Sequence, residues 1–290
     1  MKNAKNMLTI LVPTDFSANS KHALRYAIAF AGKRKAAIHL VHGYTPLFLD
    51  PRSPVEVAAN KVAAAEQKAK EKMRGFCLEQ PLPENIQYHS SIREGSVSKV
   101  VLEILELKKI DLVIMGTRGA GALKKTIIGS NASRIMEQAP VPVLVVPARY
   151  RFKPIRRLLY ASAYSDSDAE HLQQLHRLIA SRSAETKVLH VASDDYTHSS
   201  EREFMEGYKA SMLKKMKSTK LLFKVIFGSD FMDRIARFLK QEPADLFVVA
   251  TRKRTFMGRL FHESTARELV CKARMPILVF HRARVRSASI

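Results

Sequence analysis

The chain has 290 residues, long enough for two domains of ordinary size, each able to bury its own core. With 46% hydrophobic and 26% charged residues it falls in the range of globular chains and outside that of disordered or collagen-like ones. The net charge of +22 favours anionic ligands, but the basic residues are spread out, with denser clusters only at 149–157 and at Arg282, Arg284 and Arg286; no recognition helix or aromatic-rich RNA motif goes with them, so nucleic acid is not expected as a partner.

Met7 to Val12 predicts the first strand, and Pro13-Thr14-Asp15 its exit loop. That apolar run is closed by Pro13 and Asp15 before it reaches signal-peptide length. Ser17 and Ser20 are candidate N-caps for a helix with Ala23, Leu24, Ala27, Ile28 and Ala31 on one face. Ala37 to Val41 predicts a second strand, and a Pro-marked loop from Thr45 to Pro54 leads into a helix through Val62 and Ala65 that ends near Gly75. Ile86 to His89 is the third strand, followed by a helix from Ser96 to Leu107 with Val97, Val100, Val101, Ile104 and Leu105 on its core face.

The stretch from Asp111 to Pro147 carries the chemistry. Leu112 to Met115 is an unbroken apolar run, as a parallel strand buried on both faces requires. Gly116, Gly119 and Gly121 follow, then an amphipathic helix after Gly129-Ser130-Asn131 with Ile135 and Met136 inward. Pro140 and Pro142 end that helix, and Val143 to Val146 is the fifth strand. Alternating strands and helices predict a doubly wound α/β domain with a five-stranded parallel sheet, whose ligands bind beyond the carboxyl ends of the strands.

After a basic linker the pattern starts again, so the chain divides into domains 1–149 and 150–290. Leu158 to Tyr160 takes the place of Ile10 to Val12, and Lys187 to Val191 that of the second strand. Asp245 to Arg252 lies over Asp111 to Arg118, and Met275 to Phe280 over Val141 to Val146. The second copy is shorter, with the loss expected after its second strand. No stretch is long enough to span a membrane, and Cys77 and Cys271 lack metal or CxxC spacing, so a cytoplasmic protein with two buried thiols is expected.

The glycine spacing narrows the ligand. A Walker loop would need Lys where Ala122 stands, and a dinucleotide fingerprint would need glycine where Lys124 stands. Gly116, Gly119, Gly129 and Ser130 instead form G-x2-G-x9-G-S. This resembles the phosphate-binding signature of the universal stress protein family, in its ATP-binding branch, and the resemblance covers both copies. It implies two tandem Rossmann-like domains, akin to the adenine nucleotide α-hydrolases, that form an intrachain pseudo-dimer through their last strands; a homodimer is left open. It further implies ATP, alone or with Mg2+, held by Pro13, Thr14, Asp15, Val41, Met115, Gly116, Arg118, Gly119, Gly129, Ser130 and Asn131. Asp15 would hold the ribose hydroxyls and Val41 would offer backbone groups to the adenine edge. Arg118, Lys124 and Lys125 lie between the glycines, within reach of phosphate or of solvent.

The second copy acts as an internal control. It places Ala250, Lys253 and Glu263 at the glycine positions and Ala163 at Asp15, retaining only Ser264. Side chains stand where the backbone had to approach phosphate, so nucleotide is expected in the first domain only. His42 and His190 occupy matching positions, which suggests a shared structural role; His171 and His176 do not share a helical face. No metal site is found and no pair has nucleophile-and-base character. A stress-response regulator or adaptor acting on an unidentified protein partner is therefore expected, with a slow ATPase or related hydrolase, or a scaffold binding no nucleotide, as alternatives.

Overall fold

A computed structural model describes residues 7–46, 55–117, 129–148, 150–181, 183–193, 198–216, 220–251 and 275–281. The chain divides into two units, 1–149 and 150–290. In the first, β1 (Leu8–Pro13), β2 (Ala36–Tyr44), β3 (Ile86–Glu94), β4 (Leu112–Gly116) and β5 (Val143–Val146) form a parallel sheet in the order β3-β2-β1-β4-β5. The order reverses between β1 and β4, which creates a crevice beyond their carboxyl ends.

Four helices connect these strands. Ser17 caps α1 (Ala18–Ala31), its hydroxyl accepting from the Ser20 N–H at 3.3 Å, and Gly32 closes it at a φ of 58°. α2 (Val55–Leu78) runs through Gly75 rather than ending there, because an added Cβ at Gly75 would meet nothing within 4 Å and the helix still has Phe76 to bury. Ser96 caps α3 (Val97–Leu107), which buries Val100, Val101, Ile104 and Leu105, roughly 1.5–3 kcal/mol each as an upper bound. α4 (Ser130–Gln138) stops just before Pro140. Arg25 on α1 donates to Gln80 beyond α2 at 2.9 Å, whereas the Ser98 N–H of α3 donates to Asn131 Oδ1 of α4 at 3.3 Å. The helices thus pair as α1 with α2 and α3 with α4, one pair on each face of the sheet, as right-handed crossovers require.

The second unit repeats this order. Strands β6 (Arg157–Ala161), β7 (Glu185–Ala192), β8 (Leu221–Phe227), β9 (Leu246–Thr251) and β10 (Ile277–His281) run β8-β7-β6-β9-β10, all parallel. Its described helices are α5 (Asp168–Ile179), α6 (His198–Lys215) and α7 (Phe231–Gln241). The shortening falls where expected: α6 has 18 residues against 24 in α2. The repeated Asp-Leu pair has a structural reason. Asp111 Oδ2 accepts from the Thr9 N–H at 2.8 Å, and Asp245 Oδ2 accepts from the Arg157 N–H at 2.9 Å, each pinning the start of a central strand to its neighbour.

β3 extends to Glu94, beyond the predicted His89, because its last residues are polar ones that an outer strand can turn to solvent. Cys77 is only half-buried, its sulfur 3.1 Å from the Tyr88 hydroxyl; Cys271 lies outside the described residues.

Candidate functional site

The site is built where β1 and β4 end side by side. At the exit of β1, Thr14 is almost wholly buried and spends its groups internally. Its hydroxyl donates to Ser20 Oγ at 2.9 Å and accepts from the Phe16 N–H at 3.0 Å. Its N–H donates to the Val41 carbonyl at 2.8 Å, and its carbonyl accepts from His42 Nδ1 at 2.7 Å. Pro13 is buried as the last residue of β1, paired with Val41 in the β2 register. These bonds fix a sharp exit in which Phe16 takes a φ of 64° and lies against the His42 ring, centroids 4.2 Å apart. Between them stands Asp15, half-exposed, its Oδ1 accepting from the Ser17 N–H at 3.1 Å.

Met115 is buried, and Gly116 ends β4. A Cβ at Gly116 would come within 3.1 Å of the Asn19 carbonyl oxygen, so this glycine lets α1 pack closely against β4 whatever else it does. The Gly129 N–H donates to the Thr117 carbonyl at 2.9 Å, which brings the start of α4 back beside the end of β4. Gly129 supplies no side-chain cap, unlike Ser17 on α1 and Ser96 on α3. The first amides of α4 therefore carry the positive end of the helix dipole without a local carboxylate or hydroxyl partner from the cap residue. Ser130 is exposed there, while Asn131 caps the first turn of α3 through Ser98. Arg118, Gly119, Gly121, Lys124 and Lys125 lie outside the described residues, as do Lys253, Glu263 and Ser264 of the second repeat.

Burial lowers the pKa of His42 below its ordinary value, opposed by its bond to Thr14 and by nearby Asp15. Nδ1 carries a proton in this bond, since a carbonyl oxygen can only accept. The second unit reproduces the exit. Tyr164 has a φ of 54° and stacks on His190 at 4.1 Å, and His190 Nδ1 donates to the Ser162 carbonyl at 2.8 Å. The paired histidines thus hold the same bend in both repeats. His171 and His176 go to separate partners, Tyr160 at 3.3 Å and Thr186 at 3.2 Å. One close approach and one positive φ escaped the sequence reading. A Cβ at Gly43 would meet the Gly95 carbonyl oxygen at 2.6 Å, and Gly95 itself has a φ of 126°. Among the described residues no group of three or more His, Cys, Asp or Glu side chains could hold a metal, and no helix is long and apolar enough to cross a membrane.

A parallel sheet with its switch point at β1 and β4, an acidic residue at one strand exit and an uncapped helix start at the other, defines a doubly wound α/β protein with a ligand crevice at the strand ends. The universal stress protein family model matches residues 7–147 and again 154–281; the chain belongs to that family. A universal stress protein of Methanocaldococcus jannaschii is 29% identical over 150 residues, covering 50% of this chain and 86% of the relative. One from Thermus aquaticus is 31% identical over 142 residues, covering 48% of this chain and 97% of its own. The crystal structure of a universal stress protein from Archaeoglobus fulgidus has the same fold, with a TM-score of 0.66 at 18% identity over 95% of this chain and 96% of the other.

Proposed function

We propose that the first repeat binds ATP and that the protein acts as a nucleotide-responsive regulator or adaptor, with the second repeat holding no nucleotide at the matching place. The observation that carries this reading is the convergence at one crevice of Asp15, Gly116 and the uncapped start of α4, within the G-x2-G-x9-G-S spacing. Anions are held by such helix starts through free N–H groups and the dipole. Asp15 would accept from the ribose hydroxyls, and the loop after β4 would wrap the phosphates. Calorimetry on the full chain, with and without Mg2+, is expected to give one ATP per chain. Two equivalent sites, or none, would overturn the reading.

Asp15 also caps its own loop through the Ser17 N–H, which favours a purely structural role for that carboxylate. Asp15→Ala, which copies Ala163, separates the two. A charged acceptor for ribose is worth roughly 1.5–3 kcal/mol, so ATP affinity should fall about ten- to a hundred-fold while inorganic triphosphate binds as before. A lost loop cap would instead cost about 1 kcal/mol of stability and leave the preference for ATP over triphosphate intact. Melting and titration of the same preparation decide between them.

A further inference from the structure

Among the described residues β8 pairs with β7 alone, which leaves one edge of the second sheet open. The register fixes what that edge presents. The Thr186 N–H donates to the Lys220 carbonyl at 3.1 Å and the Gly228 N–H to the Ala192 carbonyl at 2.9 Å, so the even-numbered residues of β8 turn their backbone groups toward β7. In a parallel ladder the residues between them point N–H and C=O the other way, and these include Phe223 and Val225. The same turn closes both outer strands, with the Gly95 and Gly228 N–H groups donating to Tyr44 and Ala192, so Phe223 and Phe227 stand where Ser90 and Glu94 do. Serine and glutamate suit an edge kept from pairing, and two phenylalanines do not.

Phe223, Val225 and Phe227 line an open groove of about 180 Å3 beside α6, with Met205 and Arg202 from the helix. Lys224 borders it too, while its ammonium reaches α7, 5.6 Å from the centre of the Phe238 ring and paired with Glu242. Lys220 and Lys224 are exposed, and together with Lys187 they share two carboxylates, Glu185 and Glu242. Arg202 makes no ion pair among the described residues. Glu201 is the one carboxylate in the lining, 5% exposed, with the Tyr164 hydroxyl and the His190 ring against it. The edge is thus apolar on its groove side and basic at its margins.

We propose that the edge of β8 takes an extended segment of a partner protein as an added strand, with apolar residues at alternate positions and acidic residues between them. Backbone bonds to Phe223 and Val225 hold the strand, and its apolar side chains enter the groove. Successive side chains of a strand point to opposite faces, so the acidic ones come to the α7 side, where Lys220 and Lys224 stand. Arg202 adds a cation on the groove side. A second copy of β8 would set like charge against like at this edge, which favours a different chain over self-pairing. The edge belongs to the second repeat and does not depend on nucleotide in the first.

The test uses the full chain and a capped, fluorescently labelled Glu-Val-Glu-Val-Glu-Val-Glu peptide, with lysine in place of glutamate as the control. Saturable binding of one acidic peptide per chain is expected below about 1 mM, about tenfold or more tighter than the lysine peptide and weaker at high salt. N-methylation of one alternate set of peptide residues should abolish binding, because that set faces β8, and N-methylation of the other set should leave it almost unchanged. These peptides need no altered protein. In the chain, Val225→Pro removes an outward N–H and no bond to β7, so it should abolish binding and leave the melting temperature almost unchanged. Phe223→Ser, which copies Ser90, should weaken binding about tenfold. No saturable binding, equal binding of the two peptides, or an equal effect of the two methylation patterns would overturn the proposal, as would unchanged binding by folded Val225→Pro. A dimer of the chain alone that Val225→Pro dissociates would assign the edge to a second copy and overturn it as well.

Discussion

Gly119→Lys, which copies Lys253 of the second repeat, is expected to abolish ATP binding, with affinity falling at least about a hundredfold, roughly 2.7 kcal/mol. Two effects oppose each other. A lysine on a solvated loop attracts phosphate by about 1 kcal/mol or less. On the proposed reading its Cβ and stem would take up space that glycine leaves to the phosphates, and each charge-assisted bond lost would cost about 1.5–3 kcal/mol. Loss of two such bonds exceeds the attraction. The melting temperature is expected to stay close to that of the unaltered chain, because the second repeat carries lysine at the matching position. Unchanged ATP affinity in a folded Gly119→Lys protein would place the phosphates elsewhere.

Asp168→Ala should cost about 3–5 kcal/mol, a large part of the stability of a domain this size. Asp168 is 1% exposed and stands where the first repeat has Ser20. Its carboxylate accepts from the hydroxyls of Tyr160 at 2.8 Å, Ser162 at 2.6 Å and Tyr208 at 2.7 Å, and from the Ser165 N–H at 3.1 Å. Removing it strands several buried donors and unbolts Tyr208, and with it α6, from the exit of β6. Asp168→Asn should cost less, because its remaining carbonyl oxygen still accepts from part of the cluster. Denaturant unfolding of the three proteins checks this order; a cost for Asp168→Ala below about 1 kcal/mol would mean that water replaces the lost acceptor.

Buried strands announce themselves because both faces must be apolar, and so β1, β2, β4 and β5 were legible from their Val, Ile and Leu runs. The repeat was legible for the same reason, since each copy needs the same core. Outer strands carry a weaker signal: β3 was expected to end at His89, because an apolar-run rule does not extend through the exposed Ser90 and Ser91. Gly75 misled because a glycine on an exposed helix face costs only about 1 kcal/mol, which α2 offsets by burying Phe76. At the candidate site, the positions of Asp15 after β1 and of the start of α4 after Gly129 followed from the strand and helix pattern, whereas their expected roles came from the family resemblance. The second duties of these residues followed from neither. That Asn131 caps α3, that Gly116 admits Asn19 and that Gly43 admits Gly95 are contacts between residues far apart in sequence, which only the packed chain brings together.

The outermost strand of the second sheet has a bearing on how the chain is made and handled. β8, Leu-Leu-Phe-Lys-Val-Ile-Phe, packs six apolar residues around the single charge of Lys224, and Leu222 stands 38% exposed. A segment of this length and composition is a template for cross-β aggregation whenever it is unpaired, as during synthesis or on heating. Lys224 sits at its centre, so two copies aligned antiparallel in the symmetric register would set one lysine against the other. That one side chain acts as the strand's gatekeeper.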